Sequence, residues 1–133
     1  MTHNVMIVDD SNMMRTVVTN FINQMPGFTV TATAENGRKA LEKLETNKDI
    51  SIILLDIEMP EMDGLEFLRH AKMKSKAKVV ILSSVAVSGS SYTARAKALG
   101  ADAIVSKPSG AVSYDLLEKR AQELTNVMKL LVA

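Results

Sequence analysis

The sequence contains no cysteine among its 133 residues. This absence excludes a disulfide framework, a zinc site built from thiolates and catalysis by a cysteine nucleophile. The chain also lacks an excess of one charge, since 16 Lys and Arg residues accompany 15 Asp and Glu residues, giving a net charge of +1. Proteins that bind a nucleic-acid backbone usually have a clear basic excess, so we do not expect nucleic acid as a partner.

Long apolar segments are missing as well. No apolar run approaches the roughly 20 residues that a membrane-spanning helix needs, and the N-terminus lacks the basic and apolar regions of an export signal. We therefore expect a cytoplasmic protein without membrane contact. A chain of 133 residues, 47% of them hydrophobic, is long enough to bury a substantial core, which predicts a single globular domain.

Short apolar and β-branched runs recur along the chain, with room for a helix between each pair. The runs predict five strands, at Val5–Val8, Thr29–Ala32, Ile50–Leu55, Val79–Leu82 and Ala103–Val105. The first, third and fourth runs are apolar almost throughout, as expected when helices cover both faces of a parallel sheet, whereas the second alternates and is expected at an edge. This order predicts an open, doubly wound α/β sheet whose site lies at the carboxyl ends of the strands.

Helical spacing of apolar residues appears between the strands and is clearest in the first helix. Its predicted buried stripe consists of Met14, Val17, Val18, Phe21 and Ile22. Weaker stripes predict the second and third helices, and a fourth helix over residues 90–99 has mainly alanines to bury.

The last helix keeps an apolar stripe over about 20 residues, or roughly 30 Å. Its members are Leu117, Ala121, Leu124, Met128 and Leu131. Because the chain ends on apolar residues without a stop signal, we expect residues 1–112 to form the core and residues 113–133 a helix that runs into a linker. A dimerising helix and a core helix with a loosely held tail are the alternatives.

Polar or charged residues follow four of the predicted strands. They are Asp9 and Asp10, Asp56, Ser83 and Ser84, and Lys107 and Pro108. Each alone is explained by a helix cap, a turn or a solvated lysine. Together they converge on one edge of the sheet, where three carboxylates repel one another unless a cation offsets their charge. Because no His or Cys cluster is present, the oxygen ligands favour Mg²⁺.

Mg²⁺ in turn indicates phosphate chemistry. Asp56 ends the most apolar central strand and is the best-placed nucleophile for an aspartyl phosphate. Lys107 would bring a positive charge to the phosphoryl group, and Ser83 a hydroxyl hydrogen bond. Pro108 biases Lys107 toward an extended backbone, which helps to aim its side chain.

These motifs resemble the receiver domain of two-component response regulators. The matching segments are residues 8–11 (VDDS), residues 55–64 (LDIEMPEMDG), Ser83 and residues 107–108 (KP). The resemblance implies the flavodoxin-like, CheY-like strand order 2-1-3-4-5. It also implies that Asp56 is phosphorylated and that Asp10, Asp56 and the backbone carbonyl of Glu58 bind Mg²⁺, with Asp9 acting through water. By the same resemblance, Ser83 and Lys107 are the switch residues, supported by Ser84 and Pro108.

Further segments resemble the receiver half of the chemotaxis methylesterase CheB, namely residues 65–68 (LEFL), 80–84 (VILSS) and 107–110 (KPSG). The methylesterase reaction needs a serine, a histidine and an acid in a separate domain, yet the chain has only His3 and His70 and no Gly-x-Ser-x-Gly motif. We expect His3 in a frayed terminus and His70 on a solvated helix face. The resemblance thus implies a signalling phospho-acceptor, not an enzyme.

The resemblance also implies the partners of such a domain. A histidine kinase donates the phosphoryl group, and a downstream effector protein or a covalently linked effector domain responds, with the receiver a monomer or weak dimer.

Ile104 departs from the family, which usually has Tyr or Phe at this position, three residues before the lysine. Switching is then expected through Ser83 and residues 84–91 to the surface of helix 4, strand 5 and helix 5.

Three other functions stay open on the sequence. One is a stand-alone CheY-like regulator or a phosphate sink in another pathway. Another is a phosphatase with Asp56 as nucleophile and Glu58 as acid or base, although 133 residues leave no room for its cap domain. The third is a flavin carrier, which Asp9 and Asp10 disfavour because they would repel the flavin phosphate.

Overall fold

The computed structural model describes residues 2–56, 64–83, 91–106 and 114–133. Strands and helices alternate in these ranges: β1 (His3–Val8), α1 (Asn12–Asn23), β2 (Phe28–Ala34), α2 (Gly37–Thr46), β3 (Ile50–Asp56), α3 (Gly64–Lys74), β4 (Lys78–Ser83), α4 (Ser91–Ala98), β5 (Ala103–Ser106) and α5 (Tyr114–Val132). The strands form one parallel sheet in the order β2-β1-β3-β4-β5. The predicted fold class and strand order are confirmed.

Both faces of the sheet are buried, as the unbroken apolar runs predict. Strand β3 shows the alternation: Ile52 and Leu54 pack on one face, and Ile53 and Leu55 on the other. All four side chains are 0% exposed. The first face is covered by apolar residues of α1 and α5, and the second by those of α2, α3 and α4. Successive residues along a strand therefore face different sets of helices.

Helix α1 begins where its sequence supplies a cap. The Ser11 side chain accepts a hydrogen bond from the Met14 backbone N–H at 3.2 Å, which satisfies one of the free donors of the first turn. The buried residues of the helix are Met14, Val18 and Ile22. The prediction that Val17 belongs to the buried stripe is wrong, since its side chain is 38% exposed. Met14, Val18 and Ile22 form an i, i+4, i+8 row against the sheet, and Phe21 packs partly buried beside it, whereas Val17 lies beyond the margin of this contact.

The first strand starts earlier than the apolar run, and the expectation of a frayed His3 is wrong. The His3 backbone N–H donates to the Gly27 carbonyl at 2.8 Å. Its ring centroid lies 5.8 Å from that of Phe28, the residue it pairs with across the β1–β2 ladder. Pairing with β2 thus orders the polar first residues of β1, which the apolar pattern alone does not predict to be part of a strand.

Helix α5 is 19 residues long, which agrees with the predicted extended last helix. Leu124 and Met128 are 0% exposed and join the core cluster that α1 also covers, whereas Leu130 is 76% exposed. Across the ranges described above, no helix is both long and apolar enough to cross a bilayer.

Asp102 joins α3 to the start of the β4–β5 ladder. Its Oδ2 accepts hydrogen bonds from the Val79 backbone N–H at 2.8 Å and from Lys72 Nζ at 3.0 Å. In return, the Asp102 backbone N–H donates to the Val79 carbonyl at 2.8 Å. The side chains of Lys72 and Asp102 are 28% and 20% exposed, so the ion pair is partly shielded from water.

We expect Asp102→Ala to lower the free energy of unfolding by about 1–3 kcal/mol, because the Val79 amide loses its side-chain acceptor in a buried setting. Urea denaturation followed by circular dichroism measures this change. Glu42→Ala, at an exposed position on α2, is the control and should stay within about 0.5 kcal/mol of the unmodified protein. Equal midpoints for both variants would contradict the prediction.

Candidate functional site

The register of the two central strands brings two acids side by side. Val8 of β1 pairs with Leu55 of β3, so the next residues, Asp9 and Asp56, are neighbours at the carboxyl edge of the sheet. Val8 and Leu55 face α2, α3 and α4, so by alternation Asp9 and Asp56 lie on the side of the sheet that α1 and α5 cover. Asp9 is 3% exposed and Asp56 is 2% exposed. Two carboxylates are thus buried at the position where open parallel sheets bind ligands.

Asp9 is held by a set of backbone contacts. Its N–H donates to the Ala34 carbonyl at 3.0 Å, which extends the β1–β2 ladder by one residue. Its Oδ1 accepts the Ser11 N–H at 2.9 Å, and its carbonyl oxygen accepts a hydrogen bond from Arg15 Nη1 at 2.7 Å. The side-chain bond to the amide two residues on is an Asx turn, which bends the chain into α1.

Asp10 completes a cluster of three acids. Carboxylate oxygens of Asp9, Asp10 and Asp56 all lie within 4.8 Å of one another. Asp10 is exposed, whereas the other two are buried. Three like charges at this separation repel strongly in a partly desolvated site, and a cation offsets the repulsion. The donor set consists of hard carboxylate oxygens open to solvent on one side, and it fits a hard divalent cation that retains water ligands.

The remaining predicted site residues are placed as follows. Ser83 is the last residue of β4, and its backbone pairs with Ser106 of β5. Ile104 pairs with Ile81 and packs, partly buried, against the core cluster covered by α2, α3 and α4. The predicted roles of Glu58, Ser84, Lys107 and Pro108 concern positions outside the described residues.

Arg15, which donates to the Asp9 carbonyl oxygen, was not among the residues predicted from the sequence. Arg15 also lies close to Glu35, the residue after β2. The hydrogen bond from the Lys39 side chain lowers the pKa of Glu35, and the positive charges of Lys39 and Arg15 lower it further. The sequence contains no specific signal for the contact with Asp9, because the acceptor is a backbone carbonyl.

Comparison with known proteins agrees with this geometry. The model of the response regulator receiver domain family matches residues 5–119. A protein-glutamate methylesterase/protein-glutamine glutaminase of Treponema denticola is 46% identical over 113 residues, which are 84% of this chain and 30% of the relative. The corresponding protein of Geobacillus kaustophilus is 38% identical over 127 residues, which are 96% of this chain and 36% of the relative. This chain thus spans about a third of the length of these curated relatives.

Solved structures cover the whole fold. The response regulator domain of Thermotoga maritima CheB aligns with a TM-score of 0.84 and 30% identity over 100% of this chain and 98% of its own. A chain from the crystal structure of the P1 domain of CheA3 in complex with CheY6 from R. sphaeroides aligns with a TM-score of 0.82 and 55% identity, covering 98% of this chain and 96% of that one. With its parallel sheet and the acids at its carboxyl edge, this chain belongs to the response regulator receiver domain family.

Proposed function

We propose that this chain is a Mg²⁺-dependent phospho-acceptor of a chemotaxis-type two-component system, with Asp56 as the residue phosphorylated by a histidine kinase. The observation behind the proposal is the placement of Asp56, 2% exposed and within 4.8 Å of the Asp9 and Asp10 carboxylates. A buried carboxylate beside two others is an unfavourable arrangement for a purely structural role. It is a favourable one where a divalent cation and a phosphoryl group bind.

In this proposal, each residue of the site has one role. Asp10, Asp56 and the Glu58 backbone carbonyl bind the cation directly, and Asp9 acts through a water molecule. The bound Mg²⁺ neutralises the charge that develops on the phosphoryl oxygens. Lys107 pairs with one phosphoryl oxygen, and the Ser83 hydroxyl donates to another.

The transfer step is a substitution at phosphorus. A carboxylate oxygen of Asp56 forms the new bond to phosphorus, and the bond from phosphorus to the donor's histidine nitrogen breaks. The electron pair of the broken bond stays on that nitrogen. Burial of the Asp56 side chain limits the access of bulk water to its carboxyl carbon.

The partners in this proposal are a kinase phosphotransfer domain and an effector. A chain from the solved complex of the P1 domain of CheA3 with CheY6 aligns over 98% of this chain, which supports a kinase as the phosphoryl donor. The effector, covalently linked or separate, reads the surface of α4, β5 and α5. In this scheme residues 1–112 form the receiver core, residues 113–133 lead toward the effector, and the receiver itself has no methylesterase activity.

Intact-mass spectrometry after incubation with acetyl phosphate tests the function. We expect a single phosphoryl adduct with Mg²⁺, none with excess chelator, and none in Asp56→Asn with or without Mg²⁺. Glu42→Gln, an exposed acid on α2 outside the cluster, is the control and should be labelled like the unmodified protein. Equal labelling of Asp56→Asn would overturn the proposal. So would an unmodified protein that neither forms an adduct with acetyl phosphate nor binds beryllofluoride.

A further inference from the structure

Arg15 contacts the backbone between two of the clustered acids. It lies in the second turn of α1 and is half-buried. Its Nη1 donates to the Asp9 carbonyl oxygen at 2.7 Å, and its Nη2 donates to Asn12 Oδ1 at 3.3 Å. Helix side chains lean toward the N-terminus, so a long side chain from the second turn reaches the loop that precedes the helix.

The Asp9 carbonyl belongs to the peptide group that joins Asp9 to Asp10. That group is planar, so a hydrogen bond to its oxygen fixes the orientation of the whole plane. The plane in turn sets the direction in which the chain presents Asp10. Asp10 is exposed, so packing does little to fix its position. A charge-assisted bond at 2.7 Å is one of the stronger restraints available to a loop of this kind.

The charge of Arg15 agrees with the same role. The first turn of α1 contains no acidic residue with which Arg15 could pair. The nearby negative groups lie outside the helix, in the acidic cluster and at Glu35. The charge of Arg15 is therefore offset by groups outside the helix.

We propose that Arg15 is a positioning residue for the cation site, holding the Asp9–Asp10 peptide so that both carboxylates converge with that of Asp56. The role rests on the proposed function, because it assigns Arg15 to the same site. Arg15 does not touch the cation or the phosphoryl group in this scheme. It acts through the geometry of Asp10, so its loss weakens binding without removing any ligand.

Calorimetric titration with Mg²⁺ measures the expected effect. Arg15→Met should weaken Mg²⁺ binding about 10-fold, which is the lower end of the usual loss when a group supporting a ligand is removed. Arg15→Lys should recover part of this loss, because an ammonium can donate to the carbonyl but cannot span two acceptors as a fork does. Arg38→Met, at an exposed position on α2, makes the same change of charge and size and should leave binding unchanged.

Amide hydrogen exchange in chelator separates positioning from metal binding. We expect Arg15→Met to lose protection at the Ser11 amide, which bonds Asp9 Oδ1, while the Val18 amide in the middle of α1 keeps its protection. Unchanged Mg²⁺ affinity together with unchanged Ser11 protection would overturn the positioning role. Loss of protection at Ser11 and Val18 alike would overturn it too, since Arg15 would then support only the helix. If the unmodified protein binds no Mg²⁺, the proposed function fails, and the exchange of Ser11 still decides the role of Arg15.

Discussion

Asp10→Asn is expected to make the metal-free protein more stable while removing most of its affinity for Mg²⁺. In the unmodified protein three carboxylates lie within 4.8 Å of one another. Removing one charge relieves two repulsive pairs on the solvent side of the site. Asp10 is exposed, so screening close to that of bulk water applies, and the two pairs together give a gain of about 1–2 kcal/mol in the free energy of unfolding.

The order of stability should reverse when Mg²⁺ is added. At a concentration about 100-fold above its dissociation constant, a ligand that binds the folded state alone stabilises it by about 2.7 kcal/mol. Loss of a direct ligand weakens binding by about 100-fold or more, so Asp10→Asn would gain about 0.4 kcal/mol under the same conditions. The unmodified protein is then the more stable of the two.

Urea denaturation with chelator and with saturating Mg²⁺ measures both effects in one experiment. Glu42→Gln removes an exposed acid outside the cluster and should follow the unmodified protein in both conditions. A destabilised Asp10→Asn protein in chelator would show that the acids do not repel one another as the geometry implies. Equal stabilisation of both proteins by Mg²⁺ would show that Asp10 is not a ligand.

Leu54→Ala is expected to cost about 3–5 kcal/mol of unfolding free energy, a large fraction of the 5–15 kcal/mol typical of a domain. Leu54 is 0% exposed at the centre of β3, the middle strand of the sheet. It packs in the cluster that α1 and α5 cover. A fixed sheet and two covering helices leave little freedom to close the cavity, which places the loss toward the upper part of the range for such truncations.

Thermal and urea denaturation of Leu54→Ala check this value, with Leu130→Ala as the matched control. Leu130 is 76% exposed near the end of α5, so the same truncation there should change stability by less than about 0.5 kcal/mol. Similar losses in the two variants would mean that the end of α5 contributes to the core in solution. An unchanged denaturant slope in Leu54→Ala would show that cooperative unfolding is retained.

Much of the fold followed from the sequence because apolar runs and helical stripes report burial directly. The run at residues 50–55 predicted the central strand β3 (Ile50–Asp56), and the acids at strand ends followed from the parallel arrangement. Strand order needed the family resemblance, since periodicity does not say which strands are neighbours. Val17 was wrongly predicted to be buried because the apolar spacing does not show how wide the contact between α1 and the sheet is. His3 was wrongly predicted to be frayed because the spacing does not show that a polar residue at the start of β1 pairs with β2.

Arg15 could not be found by the same reasoning. Its contact is with a backbone carbonyl, which every residue has, so the sequence contains no special acceptor to search for. The contact can be recognised only when the path of the loop before α1 is known. Contacts to backbone groups are in general the part of a site that sequence reasoning misses.

The pairing of Val8 with Leu55 also has a consequence for folding. Asp9 and Asp56 are far apart in the sequence and become neighbours when β1 and β3 pair in the native register. A slip of one residue would turn the following side chains to the opposite face of the sheet. The cluster of three acids therefore forms in the correctly paired sheet and not in slipped or unfolded forms, so a cation bound at the proposed site would favour the native register during folding.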